Sequence, residues 1–325
     1  MIIKQTLVLF ISLLLSLLFI TKANATCDMT GDALNTSNGV TTPVNDVGDA
    51  GIGDACNYVP DTYQIEFYRI SLCKSNPDVA GEAQPNLTSC FDILSESGST
   101  TQVNIQGTAE TALPEIPDPT IPAGTYGYMV ARLSAKLGIR HSFEATTAVA
   151  YGDSDGNVQS PGTYCWTVNN VLTGIDNADG QSTQFGETVN AGSTNKSNMQ
   201  CSNTEGDMSN AAFSYEVVYV NNDDGCSGFD SSDGDRESAG DVGNGSASSR
   251  MMQSATESAT GCADTNSILW TIDLTTPLTV TDTSNFLMNF RTTDAVSIDF
   301  NGEASTNPMI IKVGADPIQA YLTLK

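Results

Sequence analysis

The alternation of apolar and polar side chains predicts many short β-strands over most of the chain. Residues 63–67 alternate between the two kinds of side chain, as a half-buried strand does. The apolar positions then shift by one residue to Ile70 and Leu72, which predicts either a bulge near Tyr68 and Arg69 or a strand covered on both faces. No segment after residue 25 keeps a strong 3.6-residue period over three turns, so long helices are not expected.

Further stretches with strand character follow, separated by polar turns and by a proline-rich connector at residues 113–123. Residues 174–210 are polar and loop-like, and residues 221–263 form the longest irregular stretch. Within that stretch, residues 249–258 have weak helical character. The remaining predicted strands are 89–94, 102–105, 126–130, 139–151, 163–173, 212–220, 268–274, 278–280, 286–290, 296–300, 309–313 and 318–324.

This pattern is typical of an all-β fold, and we expect antiparallel β-sandwich architecture with long polar loops, stapled by disulfides. The chain then divides into a signal peptide (1–25), a loop-rich lead-in (26–60), a β-sandwich region (61–175) and a second β-rich region (176–325) with the long loop 221–263. Two separate sandwiches, or one large sandwich with long insertions, both fit this pattern.

The first 25 residues have the features of a secretory signal peptide. Lys4 precedes an apolar run from Leu7 to Ile20, which is shorter than the roughly 20 residues needed to cross a membrane. Ala23-Asn24-Ala25 follows as a small-residue cleavage site. We therefore expect cleavage near Ala25 and a secreted, extracellular or periplasmic protein without a membrane span in its mature chain. An uncleaved N-terminal anchor is the alternative.

The charge of the chain narrows the classes of partner. With 38 acidic and 13 basic residues, its formal net charge is −25 at pH 7. Such a chain repels phosphate backbones, so nucleic-acid binding is not expected. An acidic surface of this kind suits solubility or divalent cations.

All eight cysteines follow the predicted cleavage site, and an even number in an exported chain predicts disulfides. Sequential pairing is the favoured arrangement because it closes short loops, although other pairings are open. A zinc site is disfavoured because the chain has no C-x₂-C spacing and only one histidine. The expected pairs are Cys27–Cys56, Cys73–Cys90, Cys165–Cys201 and Cys226–Cys262.

Acidic loops are the main candidates for a bound cofactor, which would be calcium. Oxygen-bearing side chains recur at alternate positions close to glycine, as they do in calcium loops. Residues 46–57 also resemble a degenerate thrombospondin type 3 calcium repeat, through Gly51-Ile52-Gly53-Asp54-Ala55-Cys56. Solvated turns are the alternative interpretation. The predicted metal ligands are Asp153, Asp155, Asn157, Asp230, Asp233 and Asp235.

No catalytic residue is predicted. His141 is the only histidine, and it lies in a strand-like context without a nucleophile motif. Glu66, Glu144 and Glu216 lie in predicted strands, where a pair of carboxylates could face a groove as in a glycoside hydrolase. Their spacing is not specific for that chemistry, because a carboxylate on the solvated face of a strand is ordinary.

One short segment carries a resemblance to a known class of domain. Pro122-Ala123-Gly124-Thr125-Tyr126 is a turn that leads into a strand. It resembles the P-x-G-x-Y element of prealbumin-like secreted bacterial β-sandwich proteins, which implies a structural or ligand-binding module. Tyr126, Tyr128 and Trp166 are candidates for an aromatic glycan-binding surface, and burial in the core explains them equally well.

Together these features favour a non-catalytic secreted or cell-surface β-sandwich protein with a structural or adhesive role. An extracellular glycan-binding module and a carboxylate-based glycoside hydrolase are the alternatives. The last predicted strand, residues 318–324, could complete the sheet of a second copy and form a homo-oligomer by strand addition. Otherwise it closes a sheet of its own chain.

Overall fold

The all-β prediction is confirmed by a computed structural model, in which the described residues form strands, turns and two short 3₁₀ helices. The antiparallel arrangement predominates, and three parallel pairings occur among the described strands. The structure describes residues 27, 29–36, 55–95, 101–106, 111–112, 121–152, 158–173, 197–217, 237–242, 245–253, 258–259, 266–282, 284, 286–293, 295–301, 309–315 and 318–324.

The strands in chain order are β1 (Met29–Thr30), β2 (Ala33–Leu34), β3 (Ala55–Tyr58), β4 (Thr62–Cys73), β5 (Cys90–Ser95), β6 (Thr101–Ile105), β7 (Thr111–Ala112), β8 (Gly124–Ser134), β9 (Lys136–Arg140), β10 (Ser142–Tyr151), β11 (Gly162–Thr167), β12 (Val171–Thr173), β13 (Met199–Ser202), β14 (Ser214–Val217), β15 (Glu237–Val242), β16 (Gly245–Gln253), β17 (Ser258–Ala259), β18 (Ser267–Val280), β19 (Phe286–Arg291), β20 (Val296–Asn301), β21 (Met309–Ala315) and β22 (Gln319–Leu324). The 3₁₀ helices are Leu87–Ser89 and Glu205–Asn210.

These strands form three sheets. The first has the order β1-β2-β10-β21-β20-β3, with β11 on β10 and β13 on β11. The second has the order β12-β14-β9-β4-β8-β18-β16-β15, with β17 on β16 and both β5 and β6 on β4. The third is β22-β19-β7. The last strand therefore pairs with β19 of its own chain.

Strand β4 organises the second sheet. Strands β8 and β9 follow one another along one side of it, and β5 and β6 follow along the other. The pairing of β4 with β8 shifts in register between Phe67 and Arg69, as the bulge alternative requires, and residues 70–73 are all fully buried, as a strand covered on both faces requires. The bulge keeps the apolar side chains on one face, since Phe67, Ile70 and Leu72 are all fully buried.

One hydrophobic cluster takes side chains from all three sheets, including residues of both predicted β-rich regions. Phe67 of the second sheet stacks on Phe290 of the third, with ring centroids 5.4 Å apart. Burying one such side chain stabilises the fold by about 1.5–3 kcal/mol. The two regions are therefore held together by direct apolar packing.

Three disulfides match three of the four expected pairs: Cys27–Cys56, Cys73–Cys90 and Cys165–Cys201. The last two join residues that are register partners on neighbouring strands. Each restricts the unfolded chain by about 3 kcal/mol in the loop-entropy model. Cys226 and Cys262 lie outside the described residues.

The expected loop 221–263 and its weak helix at 249–258 are wrong for the described part of that range, which contains β15, β16 and β17. Strand β16 is polar, so its sequence lacks the apolar alternation of a strand. It is held instead by pairing with β18 and by the loop between β4 and β5. Asp78 of that loop forms a fully buried ion pair with Arg250 and accepts a hydrogen bond from Ser248.

The turn before β8 is closed by a hydrogen bond between a buried tyrosine and the backbone upstream of it. The strand begins at Gly124, as the predicted turn and strand require. The hydroxyl of Tyr126 donates a hydrogen bond of 2.6 Å to the carbonyl oxygen of Pro122. A tyrosine bonded to the backbone a few residues upstream is a known corner device of immunoglobulin-type sandwiches. Burial raises the pKa of the Tyr126 hydroxyl, which favours the donor form.

Candidate functional site

Strand β14 turns its polar side chains inward and its aromatic side chains outward. Ser214 and Glu216 are 1% and 7% exposed, whereas Phe213, just before the strand, and Tyr215 are half-buried. An alternating strand ordinarily buries its apolar side chains, and a slip of one residue would exchange the two faces. Departures from local patterning of this kind are expected at functional sites.

The inward side chains hold β14 in this register by bonding to β21. Glu216 accepts a hydrogen bond from the backbone N–H of Ala315. Nδ2 of Asn198 donates 2.8 Å hydrogen bonds to the carbonyl oxygen of Val313 and to Oγ of Ser214. Oδ1 of Asn198 accepts from the N–H of Val313 at 2.8 Å. These side chains connect β14 to β21 by hydrogen bonds. The buried carboxylate of Glu216 therefore stabilises the fold.

The neighbouring strand β9 presents a matching outward row. Leu137 and Ile139 are buried, while Lys136 is exposed and Arg140 is half-buried, with Gly138 between them. Gly138 is the register partner of Tyr215. We call the outward set Lys136, Gly138, Arg140, Phe213 and Tyr215 the aromatic–cationic face.

Each cation of the aromatic–cationic face is held against a ring. Nζ of Lys136 lies 4.2 Å from the ring centroid of Tyr215, and Cζ of Arg140 lies 5.6 Å from that of Phe213. The ring centroids are 6.2 Å apart with an interplanar angle of 30°. A Cβ added to Gly138 would lie 3.0 Å from Cε1 of Tyr215, so glycine lets that ring lie close to the sheet.

Beside these side chains, Asn104 of β6 is exposed, whereas Thr62 and Gln64 of β4 are buried. Nη2 of Arg140 donates a 2.9 Å hydrogen bond to Oγ1 of Thr62. Nε2 of Gln64 donates a 3.0 Å hydrogen bond to Oδ1 of Asn104. Gln64 is the register partner of both Gly138 and Asn104, so amide groups lie directly beside the rings. The surface therefore offers the rings, the cations and the amide of Asn104 side by side, and the buried Gln64 and Thr62 bond to Asn104 and Arg140.

Sequence reasoning named other residues and missed these. Tyr126 and Trp166 are 0% and 6% exposed and belong to the core, and Tyr128 packs against a smaller apolar cluster. The signal that could have found the face was the pairing of two patterns: alternate aromatic residues at 213 and 215, and alternate cations around a glycine at 136–140.

Of the remaining acidic candidates, Glu144 lies on the first sheet, whereas Glu66 and Glu216 lie on β4 and β14 of the second. Glu144 is exposed in β10 of the first sheet, and Glu66 is half-buried in β4 of the second. Glu216 is bonded to the backbone of β21. The carboxylates that a hydrolase would have to pair thus have separate surroundings.

His141 is fully buried between Tyr58 and Phe143, whose ring centroids are 5.0 and 5.7 Å away. Its Nδ1 lies 3.8 Å from Oδ1 of Asp61, and Ser142 donates a 2.8 Å hydrogen bond to Oδ2 of the same carboxylate. Burial raises the pKa of Asp61, but attraction from His141 and the bonds from Ser142 outweigh it, so that pKa is lowered. Burial and the nearby carboxylates raise the pKa of Tyr58. A fully buried imidazole suits a structural role.

The predicted calcium ligands lie outside the described residues, as does most of the thrombospondin-like stretch. Among the residues that the structure describes, no three histidine, cysteine, aspartate or glutamate side chains are grouped as a metal site. The ligands in question are Asp153, Asp155, Asn157, Asp230, Asp233 and Asp235.

No protein-family model, curated protein or solved structure matches this chain. Within the described part of the chain, no helix has the length and apolar character needed to cross a membrane.

Proposed function

We propose that this is a non-catalytic secreted or cell-surface protein with an adhesive role, and that the aromatic–cationic face binds extracellular glycans. The observation that carries the proposal is the register of β14, which leaves Phe213 and Tyr215 half-buried on the outer side while burying Glu216. Leaving two aromatic side chains half in water forgoes part of their apolar burial. A ligand that covers the rings would recover it.

The chemistry of the surface suits a sugar. Aromatic rings offer a broad apolar contact for the C–H face of a sugar ring, with little side-chain entropy to lose. The exposed amide of Asn104 supplies a donor and an acceptor for sugar hydroxyls, and the N–H groups of Lys136 and Arg140 supply further donors. A rigid sheet positions these groups better than a loop does.

The test is a glycan array probed with the wild-type protein and with Tyr215→Ala. We expect binding to a subset of glycans and at least a tenfold loss in the variant, since truncating a central aromatic contact commonly costs 2 kcal/mol or more, about thirtyfold. Tyr321→Ala is the matched control, because Tyr321 is also half-buried beside a cation, Arg291, but lies on β22. Equal binding by all three proteins, or none by the wild type, would contradict the proposal.

Three further proposals complete this function. Residues 1–25 act as a cleaved signal peptide, and the three disulfides support an oxidising environment for the mature chain. The acidic loops around Asp153 and Asp230 bind calcium, which is abundant enough outside cells to fill weak sites. The third proposal is kinship with prealbumin-like β-sandwich modules, and its support is the sequence of the turn Pro122-Ala123-Gly124-Thr125-Tyr126.

A further inference from the structure

We infer that the ligand of the aromatic–cationic face is an acidic glycan, whose carboxylate or sulfate groups are bound by Lys136 and Arg140. This inference rests on the proposed function and names the class of glycan. Its basis is the state of the two cations in a chain that carries three times as many acidic as basic residues.

Neither cation is used in an ion pair. In the described part of the chain, Lys136 and Arg140 are within ion-pairing distance of no carboxylate. Most cations of so acidic a protein would be expected to find one, as Arg250 does with Asp78 and Arg69 with Asp92. The positive charges of Lys136 and Arg140 are therefore available to an anionic ligand.

Both cations are positioned in advance. The ammonium of Lys136 lies 4.2 Å from the centroid of Tyr215, and the guanidinium of Arg140 is fixed between Phe213 and Thr62. Contact with a ring restrains a long side chain without satisfying its N–H donors. Ordering these side chains before binding lowers the entropic cost of contacting an anion.

The spacing of the cations suits a polymer with regularly repeated charges. They lie four residues apart on β9, which places their Cα atoms about 13 Å apart at a rise of about 3.3 Å per residue. Between them lie the Tyr215 ring and Gly138, where an uncharged part of the ligand would rest. A chain of sugars that alternates charged and apolar surface matches this order of groups.

The net charge of −25 does not prevent such binding. At physiological ionic strength charges are screened beyond about 8 Å, so the cations in contact dominate. We therefore expect measurable binding of moderate affinity, which weakens as the salt concentration is raised.

The experiment measures the affinity of the full chain for four immobilised polymers: dextran, dextran sulfate, polygalacturonate and poly-glutamate. We expect binding to one or both acidic polysaccharides, at least tenfold tighter than to dextran and to poly-glutamate. Lys136→Met and Arg140→Met should each weaken it about five- to tenfold, as loss of a charge-assisted contact does. Lys136→Arg should retain it.

Lys74→Met is the matched control, because Nζ of Lys74 also lies over two rings, those of Phe91 and Tyr126, but at the other end of β4. Its affinity should equal that of the wild type, and the melting temperatures of all variants should agree. Equal affinity for dextran and dextran sulfate, with Tyr215→Ala still deficient, would overturn the inference and leave glycan binding standing. Equal affinity for poly-glutamate would show an acidic peptide ligand instead. No binding to any polymer would overturn both proposals.

Discussion

The buried His141 and its neighbour Asp61 show how single residues contribute to this fold. The imidazole is enclosed by aromatic rings, and the carboxylate, which is 46% exposed, lies at the edge of that enclosure. The lowered pKa of Asp61 means that its ionised form is favoured in the folded state. By linkage, Asp61 adds stability above its unfolded pKa of about 3.9, and that stability is lost as the pH falls through the lower folded value.

Asp61→Asn should therefore lower the free energy of unfolding at pH 7 by less than about 1 kcal/mol, a small value because half of the side chain meets solvent. The asparagine oxygen can still accept the bond from Ser142, so the substitution removes mainly the charge. Denaturant titrations at pH 7 and at successively lower pH should show the difference shrinking in acid, because the wild-type carboxylate loses its charge as the pH falls through its lowered folded pKa. A difference of the same size at every pH would contradict this account.

At the level of secondary-structure elements, patterns within one segment were predictable and contacts between distant segments were not. The bulge in β4 follows from a local shift of apolar positions, and the structure has it between Phe67 and Arg69. The orientation of β14 depends on a bond from Glu216 to Ala315, 99 residues along the chain. No periodicity within β14 contains that information, and for that reason the aromatic–cationic face was missed.

Strand β16 also depends on a contact with a distant segment, in this case a buried ion pair. Its serine-rich sequence indicates a loop, but Arg250 is fully buried and bonded to Asp78 of the loop between β4 and β5. Nη2 of Arg250 also donates a 3.1 Å hydrogen bond to the carbonyl oxygen of Val79. The same loop is fastened by Gln84, whose Oε1 accepts from the N–H of Ala259 at 2.7 Å.

Asp78→Asn should lower the free energy of unfolding by about 3–5 kcal/mol, because it leaves a buried guanidinium without its counter-charge. The double variant Asp78→Asn/Arg250→Met should recover part of that loss, since the unpaired charge is gone. Glu82→Gln, an exposed change in the same loop, should stay within about 0.5 kcal/mol of the wild type. Denaturant unfolding of the four proteins measures these differences, and a double variant as unstable as Asp78→Asn would contradict the explanation.

At the scale of the whole molecule, the disulfide Cys27–Cys56 and the shared core join elements that strand pairing leaves apart. Cys27–Cys56 ties the N-terminal segment to β3, and Phe67 joins the second sheet to the third through Phe290. The sequential pairing of cysteines was predictable because neighbouring strands bring successive cysteines together. The division of twenty-two described strands among three sheets was not, because it depends on pairings across the full length of the chain.

We expect calcium to stabilise the folded state, because its proposed site lies in the connection between β10 and β11. Gly152 and Val158 pair across that connection, and the N–H of Gln159 donates a 2.9 Å hydrogen bond to the carbonyl oxygen of Tyr151. An ion bound by Asp153 and Asp155 would thus be linked to the first sheet at both ends of its loop. Binding at a calcium concentration 100 times the dissociation constant would stabilise the folded state by about 2.7 kcal/mol.

The melting temperature should therefore rise by a few degrees in millimolar calcium, at roughly 1.5 °C for each kcal/mol in a chain of 325 residues. Because the net charge is −25, any added salt screens repulsion between acidic groups and stabilises the fold to some extent. The comparison must therefore be made at constant ionic strength, with magnesium as a second divalent cation. Asp153→Asn/Asp155→Asn should lose the calcium-specific part of the rise and keep the part that magnesium also gives. An equal rise with both cations in the wild type would mean that screening, and not a site, accounts for the effect.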